Sequence, residues 1–364
     1  MEVTDSAALE SVVRQFRPDG ELSGAAPFGT GLIHRSFCVN VRRAADPSQV
    51  SQFVLQRINT HVFPQPVALM ENIDRVTAHL CQIAATTRRR ALQLVPAIDG
   101  RSWAIAPDGH YWRMYRYIEG TRTVDRIESA EQCFIVARAF GDFQQQLTSL
   151  PPPRLHDTIP GFHDTPGRLA RLESSIQADV AGRVRLAGPE IDFVRCREPL
   201  AHVLLNAGMP ERVTHNDTKI NNVLLDAETG EAVCVIDLDT VMPGLAVYDF
   251  GDMVRTATCE APEDETDLSR IHSRFDYFEA LACGYLAGAG SFLTHTEKEH
   301  LTAAGKLITF EQGVRFLTDY LSGDTYYPVS RDHHNLDRCH TQFRLLESIE
   351  AQERLMEKVV RSLI

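Results

Sequence analysis

The segment Thr214-His215-Asn216-Asp217-Thr218-Lys219-Ile220-Asn221-Asn222, followed by Val233-Cys234-Val235-Ile236-Asp237-Leu238-Asp239, gathers groups that suit one kind of chemistry. Asp217 is a carboxylate able to orient an accepting hydroxyl and take its proton. Lys219 is a cation able to meet a phosphoryl group in transfer. Asn222 and Asp237 offer oxygen ligands to a divalent ion, and Asp239 could hold a second ion or its waters. Magnesium binds one or two carboxylates plus phosphates and keeps several waters. The set therefore reads as phosphoryl transfer from a metal-bound nucleotide, ATP with Mg2+, to an alcohol.

Such groups need rigid perches. Val223-Leu224-Leu225 and Ala232 to Ile236 are apolar runs separated by a turn from Asp226 to Gly230, which predicts a hairpin with Asn222 at its entrance and Asp237 at its exit. The bland alternative is a turn with ordinary capping carboxylates. The order Asp, then Lys at plus two and Asn at plus five, is the catalytic-loop spacing of protein kinases. Tyr248-Asp249-Phe250-Gly251-Asp252 imitates the kinase Asp-Phe-Gly motif but lies too far along. Asp249 is expected to cap a helix or brace the loop.

Upstream, a short helix over 6–17 precedes a glycine turn and strand over 28–41, a strand over 53–58, a helix from Val67, and a hairpin within 101–118. Gly29 and Gly31 could let backbone amides approach phosphate, with Ser36 and His34 as donors close by; a plain hairpin turn fits equally. Arg57 stands where a phosphate-pairing cation is expected, and Glu71 in the next helix could pair with it. A surface Arg and a helix-start acid are the alternative. After Gly120 the texture becomes helical over 125–148, 166–184, 188–206, 265–287, 296–321 and 338–362. This predicts an α+β, bilobal protein-kinase-like fold: a small antiparallel β-sheet N-lobe (1–118, nucleotide-binding) and a larger, mainly α-helical C-lobe (119–364, catalytic and substrate-binding). Tyr117 to Gly120 would form the hinge. The backbone of Arg116, Tyr117 and Glu119 would meet the adenine edge, by fold analogy. Glu311, Arg315 and Asp319 recur every four residues, either as a solvent-facing ion-pair ladder or with Arg315 turned into the cleft, where Tyr326 follows.

At 364 residues the chain suits about two domains, and its net charge of −12 argues against nucleic acid or an anionic membrane surface as partner. Eight scattered cysteines without a C-x-x-C pair read as reduced thiols. With neither a signal peptide nor a long apolar run, a cytoplasmic protein is expected.

These residues resemble the aminoglycoside-phosphotransferase and choline-kinase superfamily of small-molecule kinases, and within it the bacterial N-acetylhexosamine 1-kinases. The likeness spans nearly the whole chain. It is carried by Gly31 to Ile33, Leu55 to Phe63, Leu69 to Ile73, Ile118 to Thr121, His215 to Lys219, Val235 to Thr240, Asp249 to Asp252 and Arg315 to Leu321. It implies ATP-magnesium chemistry and phosphorylation of the anomeric hydroxyl of GlcNAc or GalNAc. By the same likeness Asp217, Thr218, Arg315 and Tyr326 would contact the sugar. His34-Arg35 departs from the Asn-Asp of the hexosamine kinases in the donor loop. Two alternatives stand beside this reading: a kinase of another small acceptor (another sugar, an aminoglycoside or an amino alcohol) and a nucleotide-binding pseudokinase.

Overall fold

The computed structural model describes residues 6–17, 20–29, 33–43, 45–85 and 90–364. Helix α1 (Ser6–Phe16) is amphipathic, with Leu9, Val12, Val13 and Phe16 along one buried stripe. That stripe packs on a five-stranded antiparallel sheet of order β1-β2-β3-β5-β4, made of β1 (Gly20–Pro27), β2 (Arg35–Arg43), β3 (Asp46–Arg57), β4 (Ala104–Ile105) and β5 (Tyr111–Arg116). Alternation decides which side chains face the stripe. Val39, Val41, Phe53, Leu55, Trp112 and Met114 join the α1 core. Their neighbours Gln56, Arg113 and Tyr115 therefore point to the opposite face, across which the C-terminal part lies. β1 was not expected, because Gly-Glu-Leu-Ser-Gly-Ala-Ala-Pro is poor in strand formers; its pairing with β2 supplies the order that its propensity does not.

Helix α2 (Pro66–Ala84) follows β3, and its Leu69, Ile73 and Val76 share one core cluster with the C-terminal helices. After the hinge, β6 (Thr121–Arg122) pairs with β8 (Val223–Asp226), which pairs in turn with β9 (Ala232–Val235). The hairpin expected from the two apolar runs is thus present. A second small sheet joins β7 (Arg212–Thr214) to β10 (Met242–Gly244).

The helical part comprises α3 (Ala130–Leu147), α4 (Thr165–Ala178), α5 (Gly188–Arg197), α6 (Leu200–Val203), α7 (Ala246–Ala257), α8 (Phe275–Ala289), α9 (His295–Glu299), α10 (Leu301–Leu321) and α11 (His334–Leu363). Ser129 starts α3 by accepting the amide of Gln132, and a full capping box at Thr294 and Glu297 starts α9. The single helix expected over 188–206 is broken, with Pro199 heading its second piece. Helices α3 and α8 pack backbone to backbone: a Cβ on Gly284 would stand 2.3 Å from the Phe134 carbonyl oxygen, and one on Gly141 2.7 Å from that of Tyr285. This close approach sets the depth of α3, from which Gln144 reaches Asp249 of α7. The sheet-bearing N-terminal part and helical C-terminal part are the α+β, protein-kinase-like arrangement expected from the sequence. Among the described residues no helix is long and apolar enough to cross a membrane.

Candidate active site

The loop after β7 is held from behind. Asp249, completely buried in α7, accepts the His215 amide at 2.9 Å and the Asn216 amide at 2.7 Å through its carboxylate, while Gln144 donates to the same group at 2.6 Å. Asp249 thus braces the loop from inside a helix rather than capping one. Asn216 adopts φ 65°, a left-handed conformation that Asn tolerates, and its side chain donates to the Thr240 carbonyl at 2.8 Å. His215 packs edge-on to Phe140 and Phe143, with Nε2 2.9 Å from the Ile236 carbonyl and Nδ1 accepting the Asp217 amide at 3.3 Å; the tautomer with its proton on Nε2 satisfies both. These contacts fix the backbone on either side of Asp217.

Lys219 Nζ lies 3.0 Å from Asp217 Oδ1. Burial alone would raise the Asp217 carboxyl, but the Lys219 ammonium, with Arg255 adding, holds it below the usual carboxylate range. The pair sits at the cleft surface, with Lys219 about half exposed (49%). Asn222 donates through Nδ2 to the Asp217 carbonyl at 2.8 Å and to Asp217 Oδ2 at 3.3 Å, which turns its Oδ1 away as an open ligand atom. Asp237, at φ 60°, leaves the end of β9 with its side chain open to the cleft. Desolvation by the surrounding walls, then the charges of Asp239 and Asp217, push its carboxyl well above the usual range. Among the described residues no N–H or O–H hydrogen bond to the Asp237 carboxylate is formed. A carboxylate crowded by two others and lacking a donor fits a divalent cation. Among the described residues no group of three or more His, Cys, Asp or Glu forms a cage. An Asn-plus-Asp pair with phosphate oxygens is the donor set that magnesium uses.

Asp239 behaves differently from its expected metal role. Arg113 binds both of its oxygens, at 2.7 and 2.6 Å, from strand β5 across the cleft. His34 Nε2 lies 3.2 Å from Oδ1 without hydrogen-bond alignment, while its Nδ1 accepts the Asn59 amide. Burial opposes ionisation of Asp239, yet Arg113, and after it His34, hold the carboxyl well below its usual range. Arg113 is itself 1% exposed, with Gln56 accepting from its Nε at 3.0 Å. Sequence reading missed Arg113; an arginine on the cleft face of an apolar strand was the signal, legible only once the faces of β5 are assigned.

The other expected residues fall as follows. Thr218 is fully buried and donates to the Asp249 carbonyl at 2.6 Å, so its hydroxyl serves the scaffold and does not reach the cleft. Glu71, expected to pair with Arg57, is half exposed and bonded to His156 Nε2 at 2.7 Å instead, because the buried face of α2 takes Asn72 and Ile73 and turns Glu71 outward. Arg57 closes β3 opposite Arg35 and Trp112. Ser36 accepts from Gln56 Nε2 at 2.9 Å. Gly29 has φ 80° and open space where a Cβ would stand; Gly31 lies outside the described residues. At the hinge, the Arg116 amide is taken by Gln93, the Tyr117 amide by Gln52, and the Glu119 carbonyl by Arg90, while the Tyr117 ring meets exposed Phe28 edge-on. Arg315 and Tyr326 line one pocket beyond α10.

A bilobal kinase-like fold with this loop and hairpin defines a phosphotransferase that acts on hydroxyl groups. Residues 25–283 match the phosphotransferase enzyme family (APH), and the chain belongs to that family. A microcompartment-associated aminopropanol kinase is similar in structure at TM-score 0.57 and 15% identity, covering 95% of this chain and 98% of its own. An amicoumacin kinase in complex with AMP-PNP, Ca2+ and Ami aligns at TM-score 0.57 and 13% identity, covering 88% and 87%. The GDP complex of wild-type aminoglycoside 2'-phosphotransferase-IIIa aligns at 0.55 and 12% identity, covering 99% and 100%. At these identities the likeness establishes the fold.

Proposed function

We propose that this protein transfers the γ-phosphoryl group of ATP, with Mg2+, to the anomeric hydroxyl of an N-acetylhexosamine such as GlcNAc or GalNAc, as a cytoplasmic enzyme. The observation that carries the kinase reading is the Asp217–Lys219 pair set beside Asn222 and Asp237 on one braced loop and hairpin. Asp217 orients the acceptor hydroxyl and takes its proton. Lys219, released from Asp217 as the proton is taken, supplies positive charge to the transferring group. Asn222 Oδ1 and the Asp237 carboxylate would hold magnesium, which neutralises phosphate charge when bound. Residues 1–118 would bind the nucleotide through Gly29, Gly31, Ser36 and Arg57, the hinge from Arg116 to Glu119 would meet the adenine edge through backbone groups other than the Arg116 and Tyr117 amides and the Glu119 carbonyl, and 119–364 would bind the acceptor. Support for a sugar comes from Arg315 and Tyr326 lining one pocket, together with the motif resemblance. Asp217→Asn should lower turnover by ~10²–10⁴-fold, the range of general-base removal, while calorimetry shows Mg-ATP binding retained. Unchanged turnover would remove Asp217 from the mechanism.

A further inference from the structure

Beyond α10 lies a pocket of about 220 Å3 into which Arg168, Arg171 and Arg315 converge, with Asp319, Tyr326 and Tyr327 among its walls. It is smaller than the ~300–1,000 Å3 of ordinary ligand sites, so it receives one small group or one end of a larger molecule. Three guanidinium groups in such a space repel one another. Burial, and then the charges of Arg315 and Arg171, push the Arg168 guanidinium below its ordinary range.

Glu311 offsets part of this at Arg168 and Arg315, but the neighbouring carboxylates already have other partners. Asp319 accepts the amides of Thr325, Tyr326 and Tyr327 at 2.9, 2.8 and 2.9 Å, and the Asn335 side chain at 2.9 Å. Glu311 is taken by Thr165 at 2.6 Å and His163 at 2.9 Å. Among the described residues none of the three arginines forms a salt bridge. Arg168 donates to the Phe162 carbonyl at 2.9 Å, and its buried Nε has no partner. Arg315 donates to Gln312 at 2.9 Å and lies over the rings of Phe162 and Tyr327 at 5.6 and 5.7 Å. Guanidinium donors of Arg168 and Arg315 thus remain without a carboxylate partner among the described residues. Arg168 and Arg315 both meet Phe162, and Phe162 lines a second pocket together with Asn216 of the catalytic loop.

We propose that this pocket is an anion-binding subsite of the acceptor site, so that the acceptor carries a carboxylate, phosphate or sulfate group in addition to the hydroxyl that is phosphorylated. Guanidinium forks match such planar or tetrahedral oxyanions, and the same charges repel amines. The inference rests on the kinase reading above and replaces the neutral N-acetylhexosamine as preferred acceptor by an anionic hydroxyl compound, such as a sugar phosphate or sugar acid.

The test uses matched acceptors, N-acetylglucosamine against its 6-phosphate and glucose against glucuronate, with the full chain and Mg-ATP. The anionic member of a pair should show kcat/KM higher by roughly 10- to 100-fold, the size of one or two charge-assisted hydrogen bonds. Arg171→Gln, at an exposed position, should bring that ratio towards one by raising KM for the anionic member; Arg168→Lys should do so partially. Equal use of both members, or an equal loss on both in Arg171→Gln, would overturn the subsite and leave the kinase reading standing. Calorimetry with Mg-AMP-PNP covers the case without turnover. Preferential binding of the anionic member there keeps the subsite and removes the kinase reading, whereas equal binding removes the subsite.

Discussion

Two ion pairs of the same chemical kind, Lys219–Asp217 and Arg113–Asp239, do opposite work. Lys219 and Asp217 meet at 3.0 Å with side chains 49% and 23% exposed, whereas Arg113 and Asp239 meet at 2.6 Å with side chains 1% and 3% exposed. In the first pair water can replace either partner, so the ammonium can leave its carboxylate at little expense. In the second, separation would strand a charge away from water. The loop therefore presents an exchangeable pair at the cleft, and the carboxylate two residues past Asp237 belongs to the framework. Charge alone does not tell a working acid from a structural one; solvent access does.

The sharpest way to break that contrast is Arg113→Met. It leaves Asp239 buried without its cation and should cost ~3–5 kcal/mol in urea unfolding. Adding Asp239→Leu should recover most of that loss, giving a large coupling energy in the double-mutant cycle. Recovery of less than half would mean that Asp239 serves something other than Arg113.

Asp249→Ala tests what stands behind the working pair. It strands the His215 and Asn216 amides, at ~1–3 kcal/mol for each unsatisfied group, and should depress turnover further by loosening Asp217. A variant as active as the parent would show that the brace is dispensable. The smallest stability effect is expected for Lys219→Met, within ~1 kcal/mol as for exposed pairs. Its turnover should nevertheless fall by ~10²-fold or more, as for loss of an electrostatic donor in a preorganised site. Thermal unfolding and steady-state rates on one preparation separate the two.

Much of this was legible in the residues, for physical reasons that can be named. The hairpin announced itself because two apolar runs flank a turn of Asp, Glu, Thr and Gly. The helices announced themselves through stripes such as Leu69, Ile73, Val76 and Leu80. Three features hid. β1 has a composition that only its partner strand stabilises. α7 carries Asp249, Phe250 and Gly251, whose likeness to a kinase motif masked a helix pressed so tightly on α10 that a Cβ on Gly251 would stand 2.5 Å from the Ala304 carbonyl oxygen. Arg113 drew no reading, since its partner Asp239 lies 126 residues away and no local pattern links them. Thr218 and Asp239 bear on the same lesson, since the motif resemblance points at them without distinguishing a group that lines a cleft from one that holds its wall.

The Arg113 fork has one further consequence. It is rooted in a sheet strand on one side and grips the segment after β9 on the other, and Asn72 of α2 adds a second fastening by donating to the Val241 carbonyl at 3.2 Å. Any gaping of the two halves to admit or discharge a nucleotide would therefore swivel about these fastenings, like a book turning on its spine. Sliding one half past the other would first have to tear the spine.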